Sequence, residues 1–318
     1  MFRYAAMLVA FALAAPVHAQ DKAVKIVLGF PAGATSDLLS RLVADHMRQT
    51  IGQPVIVENK PGAGGQIANE AVKSAPPDGS TLLMTPVATM SIYPHSFAGQ
   101  LRYDPFKDFE PVAHLSDFQL SLGVAMKVPA NTLAEYVALV KKDPKAYGFY
   151  ASAAAGSIPH FLGVMFARSA GIELTHVPYK GTAGVLQALA GGEIAAATTL
   201  SADIGTLVKG GKARLLAVSG AKRDPAFPDV PTFKESGYDM VGTGWYGLFA
   251  PAGTPAAAVD RLSKAAIAAV KDPAVSKRMA DIGLEPTGHG AAELARAMKA
   301  DYDKWGPVIK ASGFKPTQ

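Results

Sequence analysis

The sequence contains no cysteine, so disulfides, thiolate nucleophiles and thiolate metal sites are excluded. No three basic residues are consecutive, and the net charge of +5 is spread along the chain. Proteins that bind nucleic acid concentrate positive charge on one face, so nucleic acid is not an expected partner. Beyond residue 20 no hydrophobic run reaches the roughly 20 residues that a transmembrane helix requires.

The first 20 residues, MFRYAAMLVAFALAAPVHAQ, have the order of a secretory signal peptide. Arg3 precedes an apolar region that extends to Pro16, and small residues end at Ala19. We predict that residues 1–19 are cleaved on export. A membrane anchor is the alternative, and it is disfavoured because Pro16 and His18 interrupt the apolar region too early.

After Val24, short apolar runs alternate with segments of helical periodicity, which predicts an α/β fold with mostly parallel sheets. A second series of this kind begins near residue 120, and three helical segments close the chain. We therefore predict two domains, residues 20–122 plus 248–318 and an inserted domain of residues 123–247. The two chain crossings between them would form a hinge beside a ligand cleft.

Five predicted loops share small side chains and hydroxyls just before a helix, and they are residues 31–37, 85–90, 151–160, 179–182 and 198–203. Ligands of parallel sheets bind at the carboxyl ends of the strands. Backbone N–H groups and the positive end of a helix dipole bind anions there without a basic side chain. These loops predict a carboxylate site, with phosphate or sulfate as alternatives. Helix capping alone would favour the same residue types.

Several polar residues near these loops have two interpretations. Asp37 and Asp203 either cap their own helices or, if they face the cleft, select a ligand amino group. Lys180 either pairs with a ligand carboxylate or extends into solvent. Tyr179 and Trp245 either line the cleft or pack in the core.

Motifs for other chemistries are incomplete. GAGGQIA (62–68) has Ile67 where a dinucleotide-binding fingerprint needs its third glycine, so a tight turn is the alternative. The histidines lack metal-binding spacing, and neither a metal nor a cofactor is expected. Ser219 and Lys222 form an S-x-x-K pair without the accompanying motifs of acyl-serine enzymes. His160 either reaches the cleft or caps a helix.

The order of FPAGATSDLLSR, VIVENKPGAGGQIANEAVKSAPPDGSTLL, YASAAAGSIPHF, VPYKGTAGVLQALAGGEI and WYGLFAPAGTP resembles the Bug-type extracytoplasmic solute receptors of tripartite tricarboxylate transporters. The resemblance covers essentially the whole mature chain. It implies a type II periplasmic binding protein fold that closes on a small carboxylate between two loops. The residues that it places in those loops are Pro31, Ala32, Gly33 and Thr35, and Ser152, Ala155, Gly156 and Ser157. Many members have glycine where this chain has Ala34.

Together the loops and the resemblance predict a set of ligand-binding residues that also includes Thr85, Thr89, Tyr179, Lys180, Thr199 and Asp203. We expect a periplasmic, monomeric receptor without catalytic activity. Its partners would be membrane transporter subunits or a sensor kinase domain. An exported hydrolase that uses Ser219 or His160 is the alternative. The sequence leaves the identity of the carboxylate open.

Overall fold

Two mixed β-sheets, each covered by helices, make up the protein in a computed structural model that describes residues 23–316. The predicted signal peptide lies outside these residues. The strands are β1 Val24–Leu28, β2 Val55–Asn59, β3 Thr81–Pro86, β4 Phe109–Phe118, β5 Leu120–Ala125, β6 Phe149–Ser152, β7 Thr175–Pro178, β8 Ala196–Leu200, β9 Ala213–Val218, β10 Gly244–Pro251 and β11 Glu285–Gly290. The α-helices are α1 Thr35–Ile51, α2 Gln66–Lys73, α3 Tyr93–Ser96, α4 Leu133–Lys142, α5 Pro144–Tyr147, α6 Ile158–Ala170, α7 Thr182–Gly191, α8 Ser201–Lys209, α9 Ala256–Lys271, α10 Pro273–Asp281 and α11 Ala291–Ser312.

The first sheet has the order β11-β4-β10-β3-β1-β2. Strand β1 is parallel to β2 and β3, whereas β10 is antiparallel to both β3 and β4. The carboxyl ends of β1 and β3 therefore share one edge with the amino end of β10. Loops that follow β1 and β3 are brought to that edge, as the alternating pattern predicts.

The second sheet has the order β7-β6-β8-β5-β9. Strand β6 is parallel to β7 and β8, and β5 is antiparallel to β8 and β9. The carboxyl ends of β6, β7 and β8 consequently lie along one edge, from which the loops to α6, α7 and α8 begin.

The chain passes from the first sheet to the second at Gln119 and returns between Val218 and Gly244. Gln119 is tied to the second crossing, because its side-chain oxygen accepts a hydrogen bond from the Gly220 N–H at 2.9 Å. The predicted domain boundaries, 122/123 and 247/248, fall inside β5 and β10. Separate domains with a hinge between them remain a prediction.

Local sequence accounts for most element boundaries. Helix α1 buries Leu39, Leu42, Val43 and Met47, as its periodicity predicts, and it ends at Gly52 in the left-handed conformation. The spacing of apolar residues also places Leu38 on this face, but its side chain is 40% exposed. Thr35 and Ser36 are of the residue types favoured at a helix N-cap, so the sequence predicts the cap at one of them, and this prediction is wrong. Both residues lie inside the helix, and Ala34 precedes it without a side-chain cap.

The turn GAGG is tight, as the incomplete fingerprint suggests. A side chain on Gly29, at the end of β1, would place its Cβ only about 2.3 Å from the Cα of Gly65. The two backbones therefore touch, and no space for a dinucleotide remains at this point.

Two strands and a π-helix were not predicted. Strands β4 and β11 pair with one another at the first sheet, and a π-helix occupies Ala88–Ile92, where an open loop was expected. Among the described residues, no helix combines the length and apolar character that crossing a membrane would require.

Candidate functional site

The loop after β1 presents small side chains to open space. Pro31, Ala32 and Gly33 are exposed, and Thr35 is partly buried. Gly33 has a φ of +82°, and a Cβ at this position would have no atom within 4 Å. A larger residue here would be strained and would project into the space beside the loop.

The helix that follows this loop keeps two free donors. The Asp37 and Leu38 N–H groups both donate to the Ala34 carbonyl. Within residues 23–316 the N–H groups of Thr35 and Ser36 have no acceptor. Free donors in the first helical turn, together with the helix dipole, can bind an anion.

Asp37 anchors the loop from inside the protein. Its side chain is 2% exposed, and it accepts hydrogen bonds from the Gly33 N–H at 2.9 Å and from Arg41 at 2.9 and 3.0 Å. Asn59, which the sequence did not suggest, donates a further hydrogen bond at 2.9 Å. Burial by itself would raise the pKa of Asp37, but these hydrogen bonds and the charge of Arg41 outweigh it and hold the pKa below its ordinary value. Asp37 is thus fully engaged within the chain and supports the loop.

The loop after β6 uses its hydroxyls internally. Ser152 is fully buried, and its Oγ lies 2.7 Å from Nε2 of His176 and 3.1 Å from the Ala154 carbonyl. The Ser157 hydroxyl donates to the same carbonyl at 2.7 Å. If the Ser152 hydroxyl donates to Ala154, its oxygen is left to accept a hydrogen bond from Nε2–H of His176, so that both contacts are satisfied within the chain. Ala155 is partly buried in this loop, and the Ser157 N–H has no acceptor in the described range.

Two stacked histidines support this second loop. The rings of His160 and His176 are 3.9 Å apart, and Nδ1 of His160 accepts a hydrogen bond from the Gly156 N–H at 3.0 Å. Burial lowers the pKa of His160 to about 4. Burial and the neighbouring His160 lower the pKa of His176 to about 3. His160 therefore has a capping role and does not line the cleft.

The second loop also contacts the first-sheet part of the protein. Gly156 has a φ of +74°, and a Cβ there would lie 3.1 Å from Phe314 and 3.2 Å from Phe97. The Ser96 hydroxyl donates to the Gly156 carbonyl at 3.2 Å. Gly156 is therefore enclosed by aromatic rings, in contrast to the exposed Gly33.

The other predicted residues fall into two groups. Thr85 and Thr89 are buried and hydrogen-bond each other at 2.6 Å, so their side chains lie inside the fold. Tyr179 is partly buried, Lys180 is exposed, and the Tyr179 N–H donates to the Ser152 carbonyl at 2.9 Å. Residues 179–181 therefore adjoin the second loop. Among the described residues Lys180 has no carboxylate partner.

Asp203 lies in the first turn of α8 and accepts a hydrogen bond from Thr199 at 2.9 Å. Burial raises the pKa of Asp203 more than the hydrogen bonds from Thr199 and the Leu200 N–H lower it. Burial also raises the pKa of Tyr246, on β10, and the charge of Asp203 raises it further. Tyr246 lies within the apolar run WYGLFAP, and its side chain is 7% exposed.

Trp245 and Ser219 have structural roles. Trp245 is 3% exposed, and its indole N–H donates to Asp301 at 2.8 Å, which agrees with core packing. The buried Ser219 accepts the Leu120 N–H and donates to the Gly242 carbonyl, both at 2.9 Å. Its hydroxyl therefore joins the two chain crossings and is not presented to a substrate.

Two cavities lie outside the predicted loops. One of about 430 Å³ is bounded by α6, α11 and Met240, and one of about 280 Å³ adjoins Gln119 and Gly220. Neither is lined by residues 31–37 or 152–157. Within residues 23–316, no cluster of three or more histidine and carboxylate side chains could hold a metal ion.

The chain matches known proteins along nearly its whole length. A family model described as the tripartite tricarboxylate transporter family receptor, TctC, matches residues 39–314. A Cupriavidus necator protein, described as a UPF0065 protein in the gbd 5' region, is 35% identical over 99% of this chain and 96% of its own length.

Solved structures of periplasmic proteins are also similar to this chain over nearly its whole length. The periplasmic binding protein BugD is 32% identical, with a TM-score of 0.83 over 93% of this chain and 99% of its own. MatC from Rhodopseudomonas palustris, with bound malate, is 31% identical, with a TM-score of 0.81 over 90% and 98%. A second R. palustris protein, with adipate, is 30% identical, with a TM-score of 0.83 over 92% and 98%. The predicted type II periplasmic binding protein fold is thus confirmed, and the chain belongs to the TctC family of Bug-type receptors of tripartite tricarboxylate transporters.

Proposed function

We propose that this protein is a periplasmic receptor that captures a small organic carboxylate between the loops at residues 31–37 and 152–157. It then delivers the ligand to the membrane subunits of a tripartite tricarboxylate transporter. The observation that carries this proposal is the exposed loop at Gly33, which leads into the free N–H groups of Thr35 and Ser36. Family membership and the malate and adipate held by two solved relatives support the same ligand class.

The charge balance at the start of α1 favours an anion. A helix N-terminus carries roughly half a positive charge, which a nearby carboxylate would cancel. Asp37 is such a carboxylate, but Arg41 binds both of its oxygens. The dipole and the two free N–H groups therefore remain effective for a ligand carboxylate.

Both loops are needed for a closing mechanism. A ligand shifts the balance between open and closed forms only by the extent to which it binds one form better. A carboxylate held by Thr35 and Ser36 on one side and by the Ser157 N–H on the other would favour the closed form. The protein would act as a monomer and release its ligand chemically unchanged.

A thermal-shift screen of ligand-stripped protein, residues 20–318, tests this proposal. The panel contains aliphatic, aromatic, hydroxy and amino carboxylates, with phosphate, sulfate and glucose as controls. A ligand at 100 times its Kd adds about 2.7 kcal/mol to the free energy of unfolding. We expect stabilisation by carboxylates and recovery of the ligand unchanged. Stabilisation by phosphate or glucose alone, or conversion of the ligand, would contradict the proposal.

A further inference from the structure

The chain turns sharply after α11, and this turn directs Phe314 toward the second loop. Gly313 ends the helix in the left-handed conformation, with a φ of +67°. The Ser312 hydroxyl donates to the Ile309 carbonyl at 2.6 Å and accepts a hydrogen bond from the Phe314 N–H at 3.1 Å. Local hydrogen bonds therefore fix the backbone from which the Phe314 side chain projects.

The Phe314 ring packs on the start of α6, at the end of the second loop. Its centroid lies 5.3 Å from that of His160 and 5.6 Å from that of Phe161, with interplanar angles of 71° and 89°. Edge-to-face contacts at these distances are favourable for aromatic rings. Cζ of Phe314 also faces Gly156, because a Cβ on that glycine would lie 3.1 Å from it. Since α11 packs against β4, Phe314 brings the first-sheet part into contact with both the loop and the helix after it.

Phe97 and Tyr93 support Phe314 from the first-sheet part. The centroid of Phe97 lies 6.4 Å from that of Phe314 and 5.0 Å from that of Tyr93. Tyr93 is 4% exposed, so this row of edge-to-face rings starts in the core. Phe314 extends the row to the start of α6.

The second loop has little apolar packing of its own. Residues 152–157 read SAAAGS, and none of these side chains is larger than a hydroxymethyl group. Gly156 has a φ of +74°, and glycine adopts left-handed and right-handed conformations with similar ease. Packing by side chains from outside the loop therefore limits the conformations that Gly156 can adopt.

Phe314 also covers the hydrogen bond between Gly156 and His160. The ring contacts both partners of this bond, and His160 is only 7% exposed. Water that reached the bond would compete for the Gly156 N–H, and a hydrogen bond shielded from water is stronger. The Ser157 N–H, which the proposed function assigns to the ligand carboxylate, belongs to the peptide group that joins Gly156 to Ser157. Its position therefore depends on the glycine that Phe314 and His160 hold.

We propose that Phe314 is a positioning residue for the ligand site, and that it holds the second loop in its ligand-binding conformation. The inference rests on the proposed function, because it takes the Ser157 N–H to bind the ligand carboxylate. By linkage, a ligand that prefers the ordered loop also stabilises the contact between Phe314 and Gly156.

Amide hydrogen exchange and calorimetry, applied to the same variants, test the inference. In Phe314→Ala the Gly156 N–H should exchange at least tenfold faster than in the wild type, and carboxylate affinity should fall at least tenfold. Phe314→Leu keeps an apolar side chain and should bind within threefold of the wild type. Phe314→Tyr should bind as weakly as Phe314→Ala, because the hydroxyl added to Cζ would meet Gly156. The ligand probes are malate, adipate, benzoate and glutamate.

Phe227→Ala is the matched control, because Phe227 is also partly buried and packs against Gly205 on α8. It should lose stability without a change in Gly156 exchange or in affinity. All measurements are made where circular dichroism shows the variants to be folded.

Unchanged affinity in Phe314→Ala, or an equal loss in Phe227→Ala, would overturn the inference. If Phe314→Ala does not fold, equal affinities of Phe314→Leu and Phe314→Tyr would overturn it. If the wild type binds none of the probes, the proposed function fails, and the exchange rate of the Gly156 N–H still tests whether Phe314 holds the loop.

Discussion

The Gly156 N–H donates a hydrogen bond to Nδ1 of His160 at 3.0 Å, and this contact fixes the protonation state of the histidine. A nitrogen that accepts a hydrogen bond cannot carry a proton. The groups that face His160 are His176, Phe161, Phe314 and the Gly156 N–H. None of them has a negative charge that would favour protonation.

Acid should therefore destabilise the protein through this histidine pair. The ordinary pKa of histidine is 6.5, and in the fold it is lowered to about 4 for His160 and about 3 for His176. The unfolded chain thus binds more protons between pH 6.5 and pH 3. The free energy of unfolding should decrease as the pH falls through this range, and the contribution of the neutral pair is fully present above it.

Urea unfolding from pH 7.5 to pH 4 measures this dependence. The variant His160→Gln should show a smaller decrease than the wild type, because one of the two buried titrating groups is removed. The control is His46→Gln on α1. In this variant the free energy of unfolding should depend on pH as it does in the wild type. If the free energy of unfolding depends on pH identically in all three proteins, His160 and His176 do not determine stability in acid.

Replacement of Gly33 by tryptophan should abolish carboxylate binding. The side chain would enter the open space beside the free N–H groups of Thr35 and Ser36. We expect at least a hundredfold loss of affinity by calorimetry.

Gly52→Trp is a matched control for strain. Gly52 has a φ of +69°, close to the +82° of Gly33, and a Cβ there would also have no atom within 4 Å. Gly52 lies at the opposite end of α1, so Gly52→Trp should bind carboxylates with normal affinity. Its loss of stability should be similar to that of Gly33→Trp. Retained affinity in Gly33→Trp would reject the first loop as a binding element. The equivalent change at Gly156 is a poor test, because it would displace Phe314 and Phe97.

Asp37→Asn should weaken both stability and binding. The amide oxygen can accept fewer of the hydrogen bonds that Gly33, Arg41 and Asn59 donate, and the charge that pairs with Arg41 is lost. The expected loss is about 1–3 kcal/mol, toward the lower end because Arg41 is half exposed. Affinity should fall severalfold because the Gly33 loop is released. Asp45→Asn, an exposed change on the same helix, should alter neither property.

Ser96→Ala should favour the open form of the protein. It removes the hydrogen bond from Ser96 to the Gly156 carbonyl, which links the first-sheet part of the chain to the second loop. We expect a larger radius of gyration by small-angle X-ray scattering in the presence of ligand, and a lower affinity. Ser74→Ala removes a hydrogen bond of similar length, from Ser74 at the end of α2 to the Glu70 carbonyl, and should have no such effect. Equal scattering curves for both variants would contradict a role for this contact in closure.

The sequence predicted those parts of the fold that depend on residues within one short stretch of the chain. The β1 run, the buried face of α1 and the small residues around Gly33 lie within one stretch of chain. Strands β4 and β11 were missed because their pairing joins residues far apart in sequence, such as Ala113 and Gly290.

The candidate site likewise combines features set by residues close together in the chain with features set by tertiary packing. The loop residues could be proposed from their position after a strand. By contrast, the stacking of His160 on His176 depends on tertiary packing. Asp37 was recognised as a first-turn carboxylate, but its role in holding Gly33 follows only from the turn geometry of the loop.

The most direct test of the central claim is a crystal structure of the protein with its tightest-binding carboxylate. We predict that one carboxylate group lies within hydrogen-bond distance of the Thr35 and Ser36 N–H groups and faces the Ser157 N–H from the second loop. A ligand found instead in the cavity between α6 and α11, or one whose carboxylate lies away from both loops, would contradict it.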